Sequence, residues 1–490
     1  MKKCDVLIIG CGIAGATAAL ELTKKGLDVV VLSSGQSNSE VAQGGVVANS
    51  ELLAKDILAA GAGLCNERAV NQVVDLGPRL IYDLLSTVPF DRNENGEYSF
   101  TNEAAHTIPR ILHSKDQTGK AIMQTLCSQL QNIEHKTAID LITLSHHSKK
   151  ITDIYLPSTC VGAYVLNGQN VEMILARETI LATGGLGEVF LHTTNPQQAR
   201  GDGIAMAYRA GARIMNMEYV QFHPTTLYLP GERRFLLSEA LRGEGGRLLN
   251  SNLAPFVDEL APRDVVSRAL FNEMVRSSSD HLWLDMTMKS KSHLEERFPF
   301  ITAFCKEKGF DLSREPVPVV PAAHYSCGGV AVDLCGRTTI ERLRAVGEVS
   351  CTGLHGANRL ASTSLLEAIV WGYRAAQDVV ENWSNQNNYF PPVAEWHMSH
   401  EKVDQALIRQ DWSVIKQTMW NYVGLVRDKD RLRRAVKMLG QLQGEIESFY
   451  ETVELNPELI GLRNGILTAQ LISQGAWRNK ESLGCHYRIS

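Results

Sequence analysis

The apolar positions of this chain fall into runs that read directly as elements. Cys4 to Ile9 (CDVLII) is almost continuously apolar, as a strand buried on both faces would be. Ala16 to Lys25 follows with helical character, and Leu27 to Leu32 (LDVVVL) supplies a second strand after Gly26. Between the first strand and the helix lies Gly10-Cys11-Gly12-Ile13-Ala14-Gly15. In such a βαβ unit Gly10 allows the tight turn, Gly12 lets the backbone approach a pyrophosphate, and Gly15 lets the helix sit close to the strand. The helix N-terminus then offers free N–H groups and a partial positive charge to phosphates. The pattern predicts a dinucleotide site. An acidic residue normally ends the second strand and holds a ribose; here Ser33 and Ser34 stand there, and a hydroxyl can serve.

Residues 35–50 are small, polar and glycine-containing, a loop at the carboxyl end of the second strand where the ligand crevice of such folds lies. Helices are expected from Glu51 to Ala60 and from Glu67 to Ser86. Residues 89–120 are polar, with His106, Arg110, His113 and Asp116 close in sequence. Their spacing matches no metal pattern, so they predict polar contacts around a substrate or cofactor. From Ile133 to Leu181 short β-like runs alternate with turns: Ile139 to Leu144, Ile151 to Leu156, Cys160 to Leu166 and Val171 to Ala176. His146 to Lys150 reads as a solvated turn. Glu178 onward ends a strand in Ala182-Thr183-Gly184-Gly185 and returns the chain to the nucleotide unit, and Gly201-Asp202-Gly203 opens a helix with an anion at its N-terminus.

From residue 216 the βαβ signals fade, which predicts an inserted domain. Strand patterns resume at Val330 to Asp333 and at Ala345-Val346-Gly347-Glu348, where Glu348 is a candidate ribose ligand. An amphipathic helix is expected from Ser362 through Ala376, and Pro391-Pro392 marks a linker. Residues 399–450 are charged, with apolar positions at three- and four-residue spacing, a helical domain without catalytic residues. The expected division is 1–215 and 327–395 for a discontinuous nucleotide-binding domain, 216–326 for a capping domain, and 396–490 for a helical domain.

Composition narrows the class. The chain has 490 residues, 44% hydrophobic and 21% charged, which allows several domains with ample core. A net charge of −5 gives no reason to expect nucleic acid or an anionic membrane surface. The 10 cysteines are scattered without a CxxC, which argues against zinc, iron–sulfur and disulfide frameworks and for reduced cytoplasmic thiols; no metal is expected. No stretch approaches the roughly 18 apolar residues of a membrane span. Asp5 breaks the one segment that resembles a secretion signal.

Several motifs then converge. Beside the glycine turn stand AQGG (Ala42-Gln43-Gly44-Gly45), ATGG (Ala182 to Gly185), GDG (Gly201 to Gly203), QFHPT (Gln221 to Thr225), LRGEG (Leu241 to Gly245), PRD (Pro262 to Asp264), HYxxGG (His324 to Gly329), GE (Gly347-Glu348) and GANRLAS (Gly356 to Ser362). In this order they resemble the succinate dehydrogenase/fumarate reductase flavoprotein superfamily, in which serine or threonine also commonly ends the second strand. The resemblance implies an α/β fold: a Rossmann-like FAD-binding domain, an inserted α+β capping domain and a C-terminal helical domain. VPVVPAAHYSCGGVAVD (Val317 to Asp333), GEVSCTGLHGANRLASTSLLE (Gly347 to Glu367) and EAAHTIPRILHSKDQTG (Glu103 to Gly119) are similar to the branch that oxidises L-aspartate.

That resemblance implies hydride transfer from the aspartate Cα to FAD. Iminoaspartate forms, oxygen or fumarate reoxidises the flavin, and quinolinate synthase takes the product in NAD biosynthesis, in direct contact if at all only transiently. It implies FAD contacts from Gly10, Cys11, Gly12, Ala14, Gly15, Ser33, Ser34, Ala42, Gln43, Gly44, Gly45, Asp202, Glu348, Ser364 and Leu365. Respiratory members carry a histidine that bonds FAD covalently; Asn38 stands at that position, so non-covalent FAD is expected. A dicarboxylate needs paired cations, which arginine provides as a planar fork. By motif, His223, His324 and Arg359 bind it, and Arg263 stands where the superfamily's proton donor/acceptor lies. Ser238, Glu239 and Arg242 are further candidates for substrate contact or proton relay. Glu103 is expected to attract the aspartate ammonium and repel succinate. A monomer or weak dimer is expected. The competing expectation is a respiratory flavoprotein subunit, against which Asn38 and Glu103 speak. One departure stands out: the closing pattern ESRGxH reads Glu481-Ser482-Leu483-Gly484-Cys485-His486, and the helical domain is expected to be short.

Overall fold

The structure is a computed structural model that describes all residues except 104, 386–389, 398, 400 and 490. Its centre is a seven-stranded sheet. Strands Ile133–His135, Val29–Ser33, Lys2–Ile9 and Asn170–Leu181 lie side by side in parallel, and Leu343–Ala345 adds to the last of them, also in parallel. Lys2–Ile9 is buried along its C-terminal half, which explains its unbroken apolar run. Helix Ile13–Lys24 follows the glycine turn and starts three residues earlier than its apolar pattern suggested. Helix Ser364–Glu381 packs against it and begins two residues after the expected Ser362, which itself holds a left-handed backbone (φ 56°).

Residues 133–181 differ from expectation. Val171 to Ala176 and the run from Glu178 are one strand, Asn170–Leu181. Its first half pairs antiparallel with Cys160–Asn167, which pairs with Thr137–Thr143; its second half carries Leu343–Ala345 on the same edge. The β meander is thus continuous with the nucleotide sheet. Ile151–Tyr155 is a 3-10 helix, not a strand: its apolar residues face solvent, with Ile151 84% and Tyr155 89% exposed, so no sheet face calls for them. His146 and His147 lie in a short helix, Leu144–His147. Only His146 is exposed; the His147 ring is half-buried against Tyr164. The Pro391-Pro392 segment is docked rather than free, since Lys149 N–H donates to the Pro392 carbonyl (2.8 Å) and Ala394 N–H to the His147 carbonyl (2.8 Å).

A second sheet of five antiparallel strands runs Phe235–Leu236, Val220–Leu227, Val317–Ser326, Leu282–Asp285, Arg247–Leu249. Helix Arg263–Ser277 packs on Val220–Leu227. Three helices close the chain: Gln405–Val423, Lys429–Thr452 and Pro457–Arg478. Each starts at a polar cap, Asp404, Asp428 and Asn456, whose side chain accepts a first-turn N–H and satisfies a donor the helix cannot. Arg463 and Arg209 both pair with Asp140 (3.1 and 2.9 Å), tying the last helix to the meander. No helix among the described residues is long and apolar enough to cross a membrane, and no His/Cys/Asp/Glu group among them could hold a metal.

Candidate active site

The ends of the parallel strands, the second sheet and the segment 356–365 enclose a cleft of about 1760 Å³, counting its solvent-filled mouth. Of the residues expected to bind FAD or substrate, all but Gly15 and Arg242 line it.

The glycine turn forms one wall. Gly10 holds φ +110°, and a Cβ there would lie 2.2 Å from the Ala182 carbonyl oxygen; at Gly15 a Cβ would lie 2.1 Å from the Gly10 carbonyl oxygen. No side chain fits at either, so the backbone of the turn itself can face the cleft at Gly10 and the helix can pack close to the strand at Gly15. Ser39 Oγ accepts the Ile13 N–H (3.2 Å) and braces the turn. Ser33 Oγ donates to the Gly35 carbonyl (3.3 Å), and Ser34 is exposed at the cleft edge. Asp202 reaches the cleft but is also held by Asn464 Nδ2 (2.9 Å) and Arg200 (3.5 Å). Glu348 is half-buried and accepts from Ser326 N–H (3.0 Å) and Asn38 Nδ2 (3.3 Å); loss of solvent around it raises its pKa to about 7. A glycine turn and helix N-terminus for a pyrophosphate, with hydroxyls and a carboxylate for riboses, fit an FAD.

The other end of the cleft gathers cations. His223 and His324 stand on the adjacent strands Val220–Leu227 and Val317–Ser326. Their register explains how both reach the cleft. Gln221 pairs with Tyr325 and Phe222 with Ala323, so His324 is an extra, bulged residue. A bulge re-aims a side chain that strict alternation would send elsewhere. The two rings lie 5.3 Å apart, and Thr194 Oγ1 hydrogen-bonds His324 Nδ1 (2.9 Å). Burial, followed by Arg263, His324 and Arg242, holds His223 well below the usual imidazole pKa; burial, Arg359 and Arg263 do the same to His324.

Arg263 opens helix Arg263–Ser277, and Arg359 lies in the loop before helix Ser364–Glu381. Gln221 joins them: its Oε1 accepts from Arg263 Nη1 (3.2 Å) and Arg359 Nη2 (3.1 Å), while its Nε2 donates to the Arg359 carbonyl (2.8 Å). Arg263 also pairs with Glu239, whose carboxylate lies 3.8 Å from Arg242. Burial disfavours the Glu239 charge, but Arg263 and Arg242 outweigh it and keep it below the ordinary carboxylate range. Arg242 is buried behind Glu239, donates to the Glu259 carbonyl (2.5 Å) and does not line the cleft. Ser238 caps the short helix Glu239–Gly243. Arg359 Nη1 donates to Ser364 Oγ (3.1 Å), and its guanidinium lies 4.6 Å over the Tyr325 ring. Glu103 is 9% exposed, and Ser362 Oγ donates to it (2.7 Å).

The polar cluster of 106–116 splits into separate tasks. His106 bonds the Ala361 carbonyl (2.9 Å) and Arg110 pairs with Asp56 (3.0 Å). His113 approaches Glu103 (3.5 Å), and Asp116 accepts the Ile301 N–H (2.8 Å) at the start of helix Pro299–Glu307. Gln221, Thr194 and Ser362 were not singled out from sequence. Gln221 lies inside a recognised motif, but its bridging needs the geometry, and Thr194 carries no sequence signal. The C-terminal segment is wired into the site: Cys485 N–H donates to the Ala357 carbonyl (2.9 Å), its thiol to Asn358 Oδ1 (3.1 Å), and Leu483 packs among Tyr219, Tyr325, Cys327 and Ala357.

Comparison with known proteins agrees with this cleft. The model of the FAD binding domain family matches residues 5–365, and that of the fumarate reductase flavoprotein C-terminal family matches 413–490. L-aspartate oxidase 1 of Ralstonia nicotianae is 43% identical, covering 99% of this chain and 94% of that protein. L-aspartate oxidase of Vibrio cholerae is 40% identical over 99% and 95%, and the chloroplastic L-aspartate oxidase 2-a of Nicotiana tabacum 38% over 99% and 81%. Among solved structures, E. coli quinol fumarate reductase superposes with a TM-score of 0.88 at 27% identity, covering 100% of this chain and 92% of that one. The chain therefore belongs to the L-aspartate oxidase family, FAD-dependent oxidoreductases within the succinate dehydrogenase/fumarate reductase flavoprotein superfamily.

Proposed function

We propose that this chain oxidises L-aspartate to iminoaspartate, the first step of NAD biosynthesis, with the cation cluster gripping both carboxylates and Glu103 reading the ammonium. The observation that carries this reading is the Gln221-bridged pair Arg263 and Arg359 in one cleft with buried Glu103. Arg359, His223 and His324 bind the carboxylates. The imidazoles, held neutral, donate hydrogen bonds, and the guanidinium adds the positive charge that a carboxylate needs. FAD, held by the residues that line the other end of the cleft, would supply the acceptor for the Cα hydride and the redox link to oxygen or fumarate. Arg263, held between Glu239 and Gln221, is the proton donor/acceptor at the carbon skeleton, with Glu239 and Arg242 behind it as the relay and Ser238 fixing their helix start. The glycine turn, Ser33, Ser34, Asp202, Glu348, Ser364 and Leu365 hold the cofactor. Asn38 forms no covalent bond to it, since an amide nitrogen spent on Glu348 is no nucleophile.

Residues 1–215 and 327–395 act as the FAD-binding unit, 216–326 as the cap that brings His223, Arg263 and His324 to it, and 396–490 as a helical support. The enzyme works in the cytoplasm as a monomer or weak dimer and hands its unstable product to quinolinate synthase by at most transient contact. The deciding experiment is anaerobic titration with L-aspartate and, separately, succinate, followed at the flavin absorbance. Bleaching by aspartate is expected; bleaching by succinate alone would overturn the proposal. Acid denaturation should release the flavin into the supernatant.

A further inference from the structure

Oxidation of an amino acid at Cα needs a neutral amine, yet aspartate arrives as an ammonium. A proton must leave the substrate nitrogen within the cleft. Glu103 lines the cleft, and Ser362 occupies its Oε2 (2.7 Å). Its other oxygen, Oε1, faces His113 Nε2 at 3.5 Å. His113 is 3% exposed and does not itself line the cleft. Its Nε2 is buried and has no hydrogen-bond partner among the described residues, an unusual cost for a polar atom. The ring lies against the cofactor loop: a Cβ at Gly45 would come 2.9 Å from His113 Cε1. In the tautomer that carries its N–H on Nδ1, a ring nitrogen this close to a carboxyl oxygen can take the proton of that carboxyl.

We propose that His113 is a positioning residue that receives, through Glu103, the proton given up by the substrate ammonium. The inference rests on the ammonium-reading role of Glu103 proposed above. One N–H bond of the substrate ammonium breaks and a proton passes to Glu103 Oε1; the carboxyl then yields it to His113 Nε2. The amine is left neutral, Glu103 returns to carboxylate, and after turnover the imidazolium returns its proton through Glu103, which lines the cleft, to the solvent there. The groups facing His113 set its readiness. Burial keeps the ring neutral, Arg297 of helix Lys291–Arg297 opposes its charging, and Glu103 and Asp91 favour it. It is therefore an empty acceptor at neutral pH.

The test compares His113→Gln, Glu103→Gln and the parent enzyme, each loaded with FAD, in aspartate oxidation and in fumarate reduction by an artificial reductant. Fumarate brings no ammonium, so its reduction reports folding, cofactor and cation cluster alone. His113→Gln is expected to lower kcat on aspartate about tenfold to a hundredfold near neutral pH with little change in KM. Its aspartate rate should climb with pH where the parent's is flat, because the ammonium must then lose its proton to water. Fumarate reduction should persist. The smaller His113→Asn should behave alike. A parent-like pH profile in both variants would overturn the inference, as would equal loss of both activities. If His113→Gln is parent-like while Glu103→Gln loses only aspartate oxidation, the His113 role fails and the Glu103 role stands. If Glu103→Gln loses both activities alike, the Glu103 role itself fails.

Discussion

Replacing Glu103 by glutamine removes one charge from the cleft and little else. The side chain keeps its shape, and an amide oxygen can still accept from Ser362 Oγ, 2.7 Å away. What is lost is the attraction for an ammonium. At ~4 Å and an effective dielectric near 20, two unit charges gain about 4 kcal/mol. Desolvating the ammonium offsets part of that, which leaves about 2–3 kcal/mol, or roughly thirtyfold to more than a hundredfold in kcat/KM for aspartate. Glu103 is 9% exposed, so solvent screening does not erase the effect. Fumarate has no cation to lose, and a carboxylate beside it is at best neutral. The variant should therefore retain fumarate reduction or improve it. Steady-state kcat/KM for both substrates in one preparation decides the matter. A variant whose aspartate kcat/KM stays near the parent value, or one that loses both activities alike, would refute the charge argument.

Gln221→Ala should raise KM for aspartate and fumarate together, because it frees two guanidinium groups that share one acceptor; about 1–3 kcal/mol is at stake, read from the two KM values. Asp116→Ala removes the acceptor of the Ile301 N–H at the start of helix Pro299–Glu307, and should cost about 1 kcal/mol, seen as a lower Tm. Glu348 has its pKa raised to about 7, so the folded apo-protein holds a proton that the unfolded chain releases near 4.5. Its contribution is complete below the unfolded value and is lost as pH rises through about 7, with ~3 kcal/mol at stake. Comparing apo-protein Tm between acid and mildly alkaline pH, Glu348→Gln should remove that part of the decline.

Much of the nucleotide end was legible because its chemistry is local. A glycine turn between two apolar runs needs no distant partner, and Gly10 to Ile13 sit where that pattern puts them. The cation cluster was legible by motif, but its wiring was not. That Gln221 ties Arg263 to Arg359 depends on residues 42 and 138 positions away meeting at one oxygen. The bulge that presents His324 is a property of two paired strands, invisible in either alone. Ile151–Tyr155 misled because a short run rich in apolar and β-branched residues ordinarily implies a covered strand face, and here Ile151, Ile154 and Tyr155 are exposed. Arg242, by contrast, has the right charge in the right motif but stands one layer behind the cleft.

The strand Asn170–Leu181 is shared by three partners, and the last of them, Leu343–Ala345, is made long after the others. During synthesis the sheet under the cofactor cleft stays one strand short until residue 345 has emerged, and the cleft lacks Glu348, Arg359 and Ser364 until still later. Such non-local parallel pairing is slow to form. Cofactor loading is therefore a late event in the life of the chain, and a nascent or truncated product carrying the whole glycine turn will still lack the rest of the cleft that holds FAD.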